Sequence, residues 1–315
     1  MLLKVDNFVQ LLNLRILPKL RKCILSIALL ILIFCYQTDL LAQVVFLPKS
    51  GNYSGSVAVT LQSNTTSVIH FTLDGSRPTS SSPEWAAGET RMVSQSTVIR
   101  AIAVNQSGQV SYPEGASYLI DEPDSKLPII SIGIDPWRLF GKKNGWFEPG
   151  SRADRSHWKM PGANWWTKDE YPGHLDLIEP DGTSMFSGQV GYRVFGGMSR
   201  LHPQKSLSIS CRKKYGSKRI EYPVFGEDEQ EDFKYLVFRN GGSDWSRSHF
   251  RDALLSSLID DKSWDLDYQA NRPALLYING EYWGLYHIRE KINKTFVADR
   301  RGYDKNELDL LEHES

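Results

Sequence analysis

The sequence predicts an α+β fold preceded by an all-β sandwich. Three observations carry that expectation. The segments SVAVTLQS, VIHFTLDG and STVIRAIAVN, between Ser56 and Asn105, alternate apolar and polar residues, are rich in β-branched side chains and show no helical period. Beyond residue 127, strand-like runs are interleaved with two helical stretches, one after Phe250 and one after Arg289. Between the two regions lies YLIDEPDSKLP, Tyr118 to Pro128, where composition shifts to charge and proline. The expected organisation is an N-terminal segment over residues 1–42, a sandwich over 43–120, a linker over 121–126 and an α+β domain over 127–315. A chain of 315 residues has room for two domains, each with its own core.

The N-terminal segment reads as an export signal. Lys19, Arg21 and Lys22 precede an unbroken apolar run from Cys23 to Tyr36, and Ala42 precedes polar Gln43. The run is short for a transmembrane helix, which needs about 20 apolar residues. A basic flank, a short apolar stretch and a small residue before a polar one make a secretory signal, with cleavage after Ala42. Retention as a signal anchor is the alternative, and either way the chain meets a membrane through this segment alone. Outside it, Cys211 is the single cysteine, so the mature chain has no intrachain disulfide framework. An exported chain without disulfides points to a bacterial, secreted or cell-surface protein. Lys+Arg and Asp+Glu both number 37, so no net field draws nucleic acid.

In the sandwich, Asp74-Gly75 and Ser107-Gly108 are turn dipeptides, and Asp74 reads as a turn residue rather than an acid catalyst. Trp85 reads as a packed aromatic, with sugar contact as the alternative. After the linker, LPIISIGID is a continuous apolar strand. The tryptophan-, glycine- and proline-rich stretch from Asn144 to Gly173 is an ordered irregular excursion, since so many tryptophans do not suit a disordered linker. Two strands then flank Pro180-Asp181-Gly182, a hairpin signal. In KSLSIS, strand alternation places Lys205, Leu207, Ile209 and Cys211 on one face and Ser206, Ser208 and Ser210 on the other. A lysine on an apolar face needs a partner or a wet cleft, so Lys205 either meets an anion or snorkels to solvent.

Gly196-Gly197 makes a tight turn that also lets backbone amides approach an anion. From Phe250, Leu254, Leu255, Leu258 and Ile259 form an amphipathic helix face, capped by Ser246 or Ser248, with Arg247, Arg251 and Asp252 in a network with Asp244. Asn279-Gly280 turns a hairpin. A helix is expected from about Arg289 to Gly302, with Glu290 in its first turn and paired to Lys294. His157, His174, His202 and His249 lack metal-ligand spacing, so no metal site is assigned, and no GxSxG hydrolase elbow occurs.

The residues IHFTLDGSRPTSSSPEW, followed by TVIRAIAVNQSG, resemble the immunoglobulin-like C-terminal module of chitobiases and β-hexosaminidases. The segments GQVGYRVFGGMSRLHPQKSLSIS, YLVFRNGGSDWSRSHFRDALLSSL and RPALLYINGEYWGLYHIREKI resemble the spore-coat protein H (CotH) kinase family. That resemblance runs from about Leu127 to Ser315. It implies an atypical protein-kinase-like domain, ATP and Mg²⁺ as cofactors, and phosphoryl transfer to Ser or Thr of a surface or coat protein. It further implies that Lys205 and a helical Glu290 organise the nucleotide phosphates, with Arg193 and Arg200 assisting and Gly196 and Gly197 over the phosphates. The family's catalytic and metal-binding aspartates are expected beyond Ser315. The kinase-like domain is thus expected to be incomplete, a fragment or a degenerate copy, and inactive as it stands. A second reading stays open: a non-catalytic extracellular binding or scaffolding protein that holds polysaccharides or surface proteins on the sandwich and on Trp165 and Trp166.

Overall fold

The computed structural model describes residues 42–226, 230–259 and 266–311; the expected export signal lies outside them. Eight strands build the first domain: β1 (Val44–Leu47), β2 (Gly51–Tyr53), β3 (Val57–Ser63), β4 (Ser67–Thr72), β5 (Glu84–Trp85), β6 (Thr90–Val93), β7 (Thr97–Asn105) and β8 (Glu114–Ile120). They form two sheets, β1-β3-β6 and β2-β8-β7-β4-β5, antiparallel except at the β2–β8 edge. Val59, Leu61, Ile69, Ile99, Ala101 and Ala103 fill the space between the sheets. The expected alternation holds in β3, whose residues are buried and accessible in turn. β7 instead is buried almost throughout. Its second face, carrying Val98 and Arg100, lies against Gly133 of the following domain. Trp85 is a packed aromatic: its ring meets Phe71 edge-on at 5.0 Å and its Nε1 donates to the Glu89 carbonyl. Asp74 is a turn residue that accepts from the Ser76 amide and hydroxyl.

The second domain is a closed seven-stranded barrel. Along the chain come β9 (Ile129–Gly133), the five-residue helix α1 (Pro136–Phe140), β10 (Tyr171–Ile178), β11 (Ser184–Phe195), β12 (Ser206–Ser210), the short β13 (Ile220–Glu221) and β14 (Asp232–Phe233), β15 (Tyr235–Arg239), α2 (Arg251–Leu258), β16 (Asn271–Ile278), β17 (Glu281–Glu290) and α3 (Lys294–Arg301). Strand order round the barrel is β10-β11-β12-β15-β17-β16-β9, closed by β9 on β10 and with β16–β9 the parallel pair. Closure removes the sheet edges. The described residues are thus mostly β, with few and short helices, and the expected α+β balance shifts toward sheet. The reason is local: the chain between β9 and β10, thirty-seven residues by its numbering, spends five on α-helix, three on a 3-10 turn at Asn164–Trp166 and the rest on irregular backbone. That excursion is ordered, as expected, and it delivers Trp146 and Trp165 to the barrel's apolar cluster.

Two helical expectations need correction. α2 forms, but its apolar residues do not face the core: Leu255 and Leu258 are 64% and 67% exposed, and Ala253 is the residue buried. Neither Ser246 nor Ser248 caps it; the Asp244 carboxylate does, accepting from the Arg251 amide at 3.2 Å. The helix expected from Arg289 starts later. β17 runs through Glu290, because its residues 287–290 pair with β15, and α3 begins at Lys294, with the Asn293 side chain accepting from the Phe296 amide. Lys294 pairs with Asp309, not with Glu290. Among the described residues no helix is long and apolar enough to cross a membrane.

The expected linker is a bonded joint. Glu122 accepts from Ser96 at 2.8 Å and from the Tyr277 hydroxyl at 3.2 Å, which ties sandwich to barrel. The two domains meet face to face. The Asn279-Gly280 turn, with both residues at positive φ as its tight geometry demands, packs on the sandwich at Gly75 and Ser96. Asn279 also closes the barrel seam by bonding both the amide and the carbonyl of Ile134. Deeper in, Asp176 Oδ2 accepts from Ser117 at 2.6 Å and lies 2.9 Å from His174 Nε2, with all three residues fully buried. Burial acts to raise the Asp176 pKa, but the His174 imidazole and the hydrogen bonds from His174 and Ser117 outweigh it and hold the carboxyl below the usual range.

Candidate functional site at the barrel end

The ladders β11–β12–β15–β17 stop at one end of the barrel, at the pairings Phe195 with Ser206 and Arg239 with His287. Lys205 sits one residue outside β12 on this rim. The alternation read from the sequence holds for its neighbours, since Leu207, Ile209 and Cys211 point into the apolar cluster. Ser206, Ser208 and Ser210 are buried as well, because loops cover the outer face: Ser206 bonds Asn240 and Ser210 bonds Glu170. Lys205 does not snorkel. It is 2% exposed, its Nζ donates to the His202 carbonyl at 2.6 Å, and it lies 4.3 Å from the centre of the Trp165 ring. The Tyr286 hydroxyl holds its carbonyl at 3.0 Å. No carboxylate reaches it among the described residues. Burial pushes its pKa down to about 8.

Gly196 sits at φ 96°, a conformation that a side chain resists, and a Cβ there would strike Ser199 Oγ; over Gly197 there is open space. Arg200 folds back across this turn. Its Nε donates to the Gly196 carbonyl, and its guanidinium reaches Trp165 O at 2.8 Å and Thr167 O at 3.3 Å. Arg200 therefore clamps the glycine turn to the tryptophan-bearing excursion. Burial, and next the charge of Arg193, lower its pKa. Arg193, on β11, leaves a buried Nε without a partner.

The other wall comes from residues that the sequence reading did not assign. Asn240 is fully buried, takes hydrogen bonds on Oδ1 from Ser206 and the Gly242 amide, and donates from Nδ2 to the Gln204 carbonyl. Gln204 bridges onward, accepting from Trp245 Nε1 at 2.7 Å and donating to the Trp283 carbonyl at 2.6 Å. Trp245 stacks on His202 with ring centres 4.8 Å apart. His202 has its pKa lowered, first by burial and then by the Lys205 charge. Asp244 is not part of the receptor. Despite the desolvation that opposes it, donors from Ser248 and Arg251 keep it ionised below the usual carboxylate range, and it serves the start of α2. The local signal for this wall was present in FRNGGSDW: an asparagine and two glycines directly after a strand mark a loop built to hold backbone in unusual conformations.

The structure does not bring Glu290 to this end. The register places Glu290 beside Leu236, and Leu236 beside Ile209. Glu290 is therefore four residues along the strands from Lys205, roughly 13 Å at ~3.3 Å per residue, and two strands across. It sits at a strand end rather than on a helix, where its Oε2 takes a 2.6 Å ion pair from Arg300 and the Ala270 amide. The Lys–Glu pair expected from the family resemblance is not formed. The tryptophans expected to carry glycans are also otherwise engaged: Trp165 is buried, and Trp166 donates its Nε1 to the carbonyls of Lys159 and Met160.

Lys205, Arg200, Gly196 and Gly197 thus gather at one rim, with one nearly buried ammonium lacking an anion, whereas Arg193, opposite Ser208, lies two residues in from the ladder's end on the outer face and is not brought to Lys205. Such a site can take up a compact polyanion. Residues 192–315 match the family model described as CotH kinase protein, and residues 48–113 match that of the chitobiase/beta-hexosaminidase C-terminal domain, in the order expected. The first match begins inside β11, so β9, β10 and most of β11 precede it although the barrel cannot close without them. No curated protein matches the chain.

Proposed function

We propose that this chain is a CotH-type protein whose barrel rim receives the phosphates of ATP, within an exported kinase-like protein that phosphorylates Ser or Thr of a surface or coat protein. The observation that carries this reading is Lys205: a 2%-exposed ammonium with a carbonyl and an aromatic face for company and no counter-anion among the described residues. An isolated buried charge is costly, and a bound phosphate would offset that cost. The match to the CotH kinase model supports the same reading.

The residues present fit a polyphosphate. Lys205 would neutralise phosphate charge, and the Gly196–Gly197 turn would leave room for backbone approach. ATP supplies the transferable phosphoryl group when bound. Mg²⁺ fits less well: no cluster of three or more His, Cys, Asp or Glu suited to a metal occurs among the described residues, so no step through the metal is derived. Glu290 has no part in the reading; Arg200 contributes as the clamp that shapes the turn.

The test is nucleotide binding without metal. Calorimetric titration should show ATP and tripolyphosphate binding and adenosine not binding. Lys205→Met should weaken ATP at least tenfold, since a charge-assisted hydrogen bond contributes about 1.5–3 kcal/mol. Equal ATP affinity in a folded Lys205→Met variant would sink the proposal.

A further inference from the structure

We infer that the seam between sandwich and barrel holds a second, independent ligand site that takes one uronate residue of an acidic polysaccharide. A cavity of about 130 Å³ opens there, lined by Arg77, Arg100, Gln189, Lys214, Tyr112 and Tyr215 with two proline rings. That volume is several times what a single water needs. It suits a ring-sized ligand better than a lone ion.

The charges facing the cavity are three cations and no anion. Arg100 is fully buried on β7. Its Nη1 donates to the Gly75 carbonyl at 2.8 Å and its Nη2 to Gln189 Oε1 at 3.2 Å, while Asp135 stays 3.9 Å away. Asp135 has other duties, accepting from the Arg77 amide at 2.9 Å and the Tyr171 hydroxyl at 3.1 Å. Burial pushes the Arg100 pKa down to about 10 against the pull of Asp135, as expected for a cation whose charge is incompletely met. The Arg77 guanidinium is exposed and forms no ion pair among the described residues. Lys214 lies over the Tyr215 ring at 4.5 Å, and its nearest carboxylate, Glu170 at 3.5 Å, is already shared with Ser210, Arg212 and Tyr215.

Two buried donors on this wall lack acceptors: Gln189 Nε2 and Arg100 Nε. The Gln189 orientation is determined by chemistry. Arginine only donates, so the atom facing it must be the amide oxygen, and the NH₂ faces elsewhere. Gln189 is 5% exposed, so its idle donor lies within the protein rather than in bulk water. Both belong to residues that line the cavity, so an acceptor entering it would satisfy them. The aromatic and proline faces identify the rest of the ligand. Tyr112 is 49% exposed, and it offers an apolar ring face of the kind that packs against the C–H face of a pyranose. A carboxylate for the cations, hydroxyls for Gln189 and a ring for the tyrosines are together a uronic acid.

The experiment is calorimetric titration of the full chain with glucuronate, glucose and inorganic phosphate. Glucuronate should bind, and glucose, which keeps the ring and lacks the carboxylate, should not. Arg77→Ala and Lys214→Ala alter exposed side chains; each should weaken glucuronate on the order of tenfold, as loss of a charge-assisted hydrogen bond does. Three results would overturn the assignment: no heat at about 10 mM glucuronate, unchanged affinity in both variants, or phosphate binding as tightly as glucuronate. The last would make the cavity a simple anion site.

Discussion

Truncation of Asp176 asks whether sandwich and barrel unfold as one body. The carboxylate on β10 takes the Ser117 hydroxyl of β8 at 2.6 Å across the seam and lies 2.9 Å from His174 Nε2. An ionised carboxylate only accepts, so His174 must carry its proton on Nε2. Asp176→Ala leaves that N–H and the hydroxyl without an acceptor in a fully buried place. Two buried donors left without their acceptor cost about 1–3 kcal/mol each, roughly 3–5 kcal/mol together. With a urea slope near the upper ~3 kcal/mol/M expected for a chain of this size, the unfolding midpoint should fall by about 1–1.7 M. Hydrogen exchange supplies the second readout: protection should drop by similar factors in β7 and β8 of the sandwich and in β9 and β10 of the barrel. The effect is linked to pH. Because the folded carboxyl titrates below its ordinary value, its stabilisation is fully present above about pH 4, and is lost as pH falls further through the folded value. The gap between wild type and Asp176→Ala should therefore close in acid. A midpoint shift under about 0.3 M, or lost protection in the barrel alone, would refute the reasoning.

Three further outcomes follow from the geometry. A double-mutant cycle of Lys205→Met with Glu290→Gln, read by ATP affinity, should give a coupling within about 0.5 kcal/mol of zero, because the two side chains share no partner. Gly280→Ala should lower stability by about 2–4 kcal/mol, from backbone strain and overpacking, since φ is 92° and a Cβ would lie 2.5 Å from Ser96 O; Gly182→Ala, with nothing within 4 Å, should cost clearly less in thermal unfolding. ATP affinity should fall as pH rises through about 8, because Lys205 then loses its proton, and Lys205→Met should lose that pH dependence. The same lowered pKa means that the unfolded chain holds this proton at higher pH than the folded one, so Lys205 contributes a stability that rises with pH above about 8.

Local patterns carried much of the fold. The alternation in β3, the turn at Asn279-Gly280, the end of α3 at Gly302 and the ordered tryptophan-rich excursion were all legible, because each depends on residues adjacent in sequence. Misreadings arose where tertiary context decides. REKINKTFVADRRG has helical composition, yet Arg289 and Glu290 stay in β17 because β15 offers a pairing edge. The leucines of α2 have a helical period, and period alone does not say what lies opposite; among the described residues they face outward. For the same reason Lys205 was recognisable as an anomaly while its burial was not, since the ring that covers it, Trp165, comes from an excursion forty residues earlier.

That excursion also bears on what the rim can bind. Trp165 supplies both the aromatic face over Lys205 and the carbonyl that holds Arg200, and Arg200 in turn holds the Gly196 turn. The ammonium meets the indole of Trp165, and the clamp meets the backbone of the same residue, so the side chain and the backbone can be tested apart. Trp165→Ala would remove the aromatic face over Lys205 while keeping the backbone carbonyl that holds Arg200. An exposed lysine recovers its hydration and a pKa near 10.4, so the variant would lose the pH dependence of anion affinity near 8 that marks the intact rim. A purely structural role for Trp165 would lower stability and leave that profile in place, and the two roles separate on this measurement.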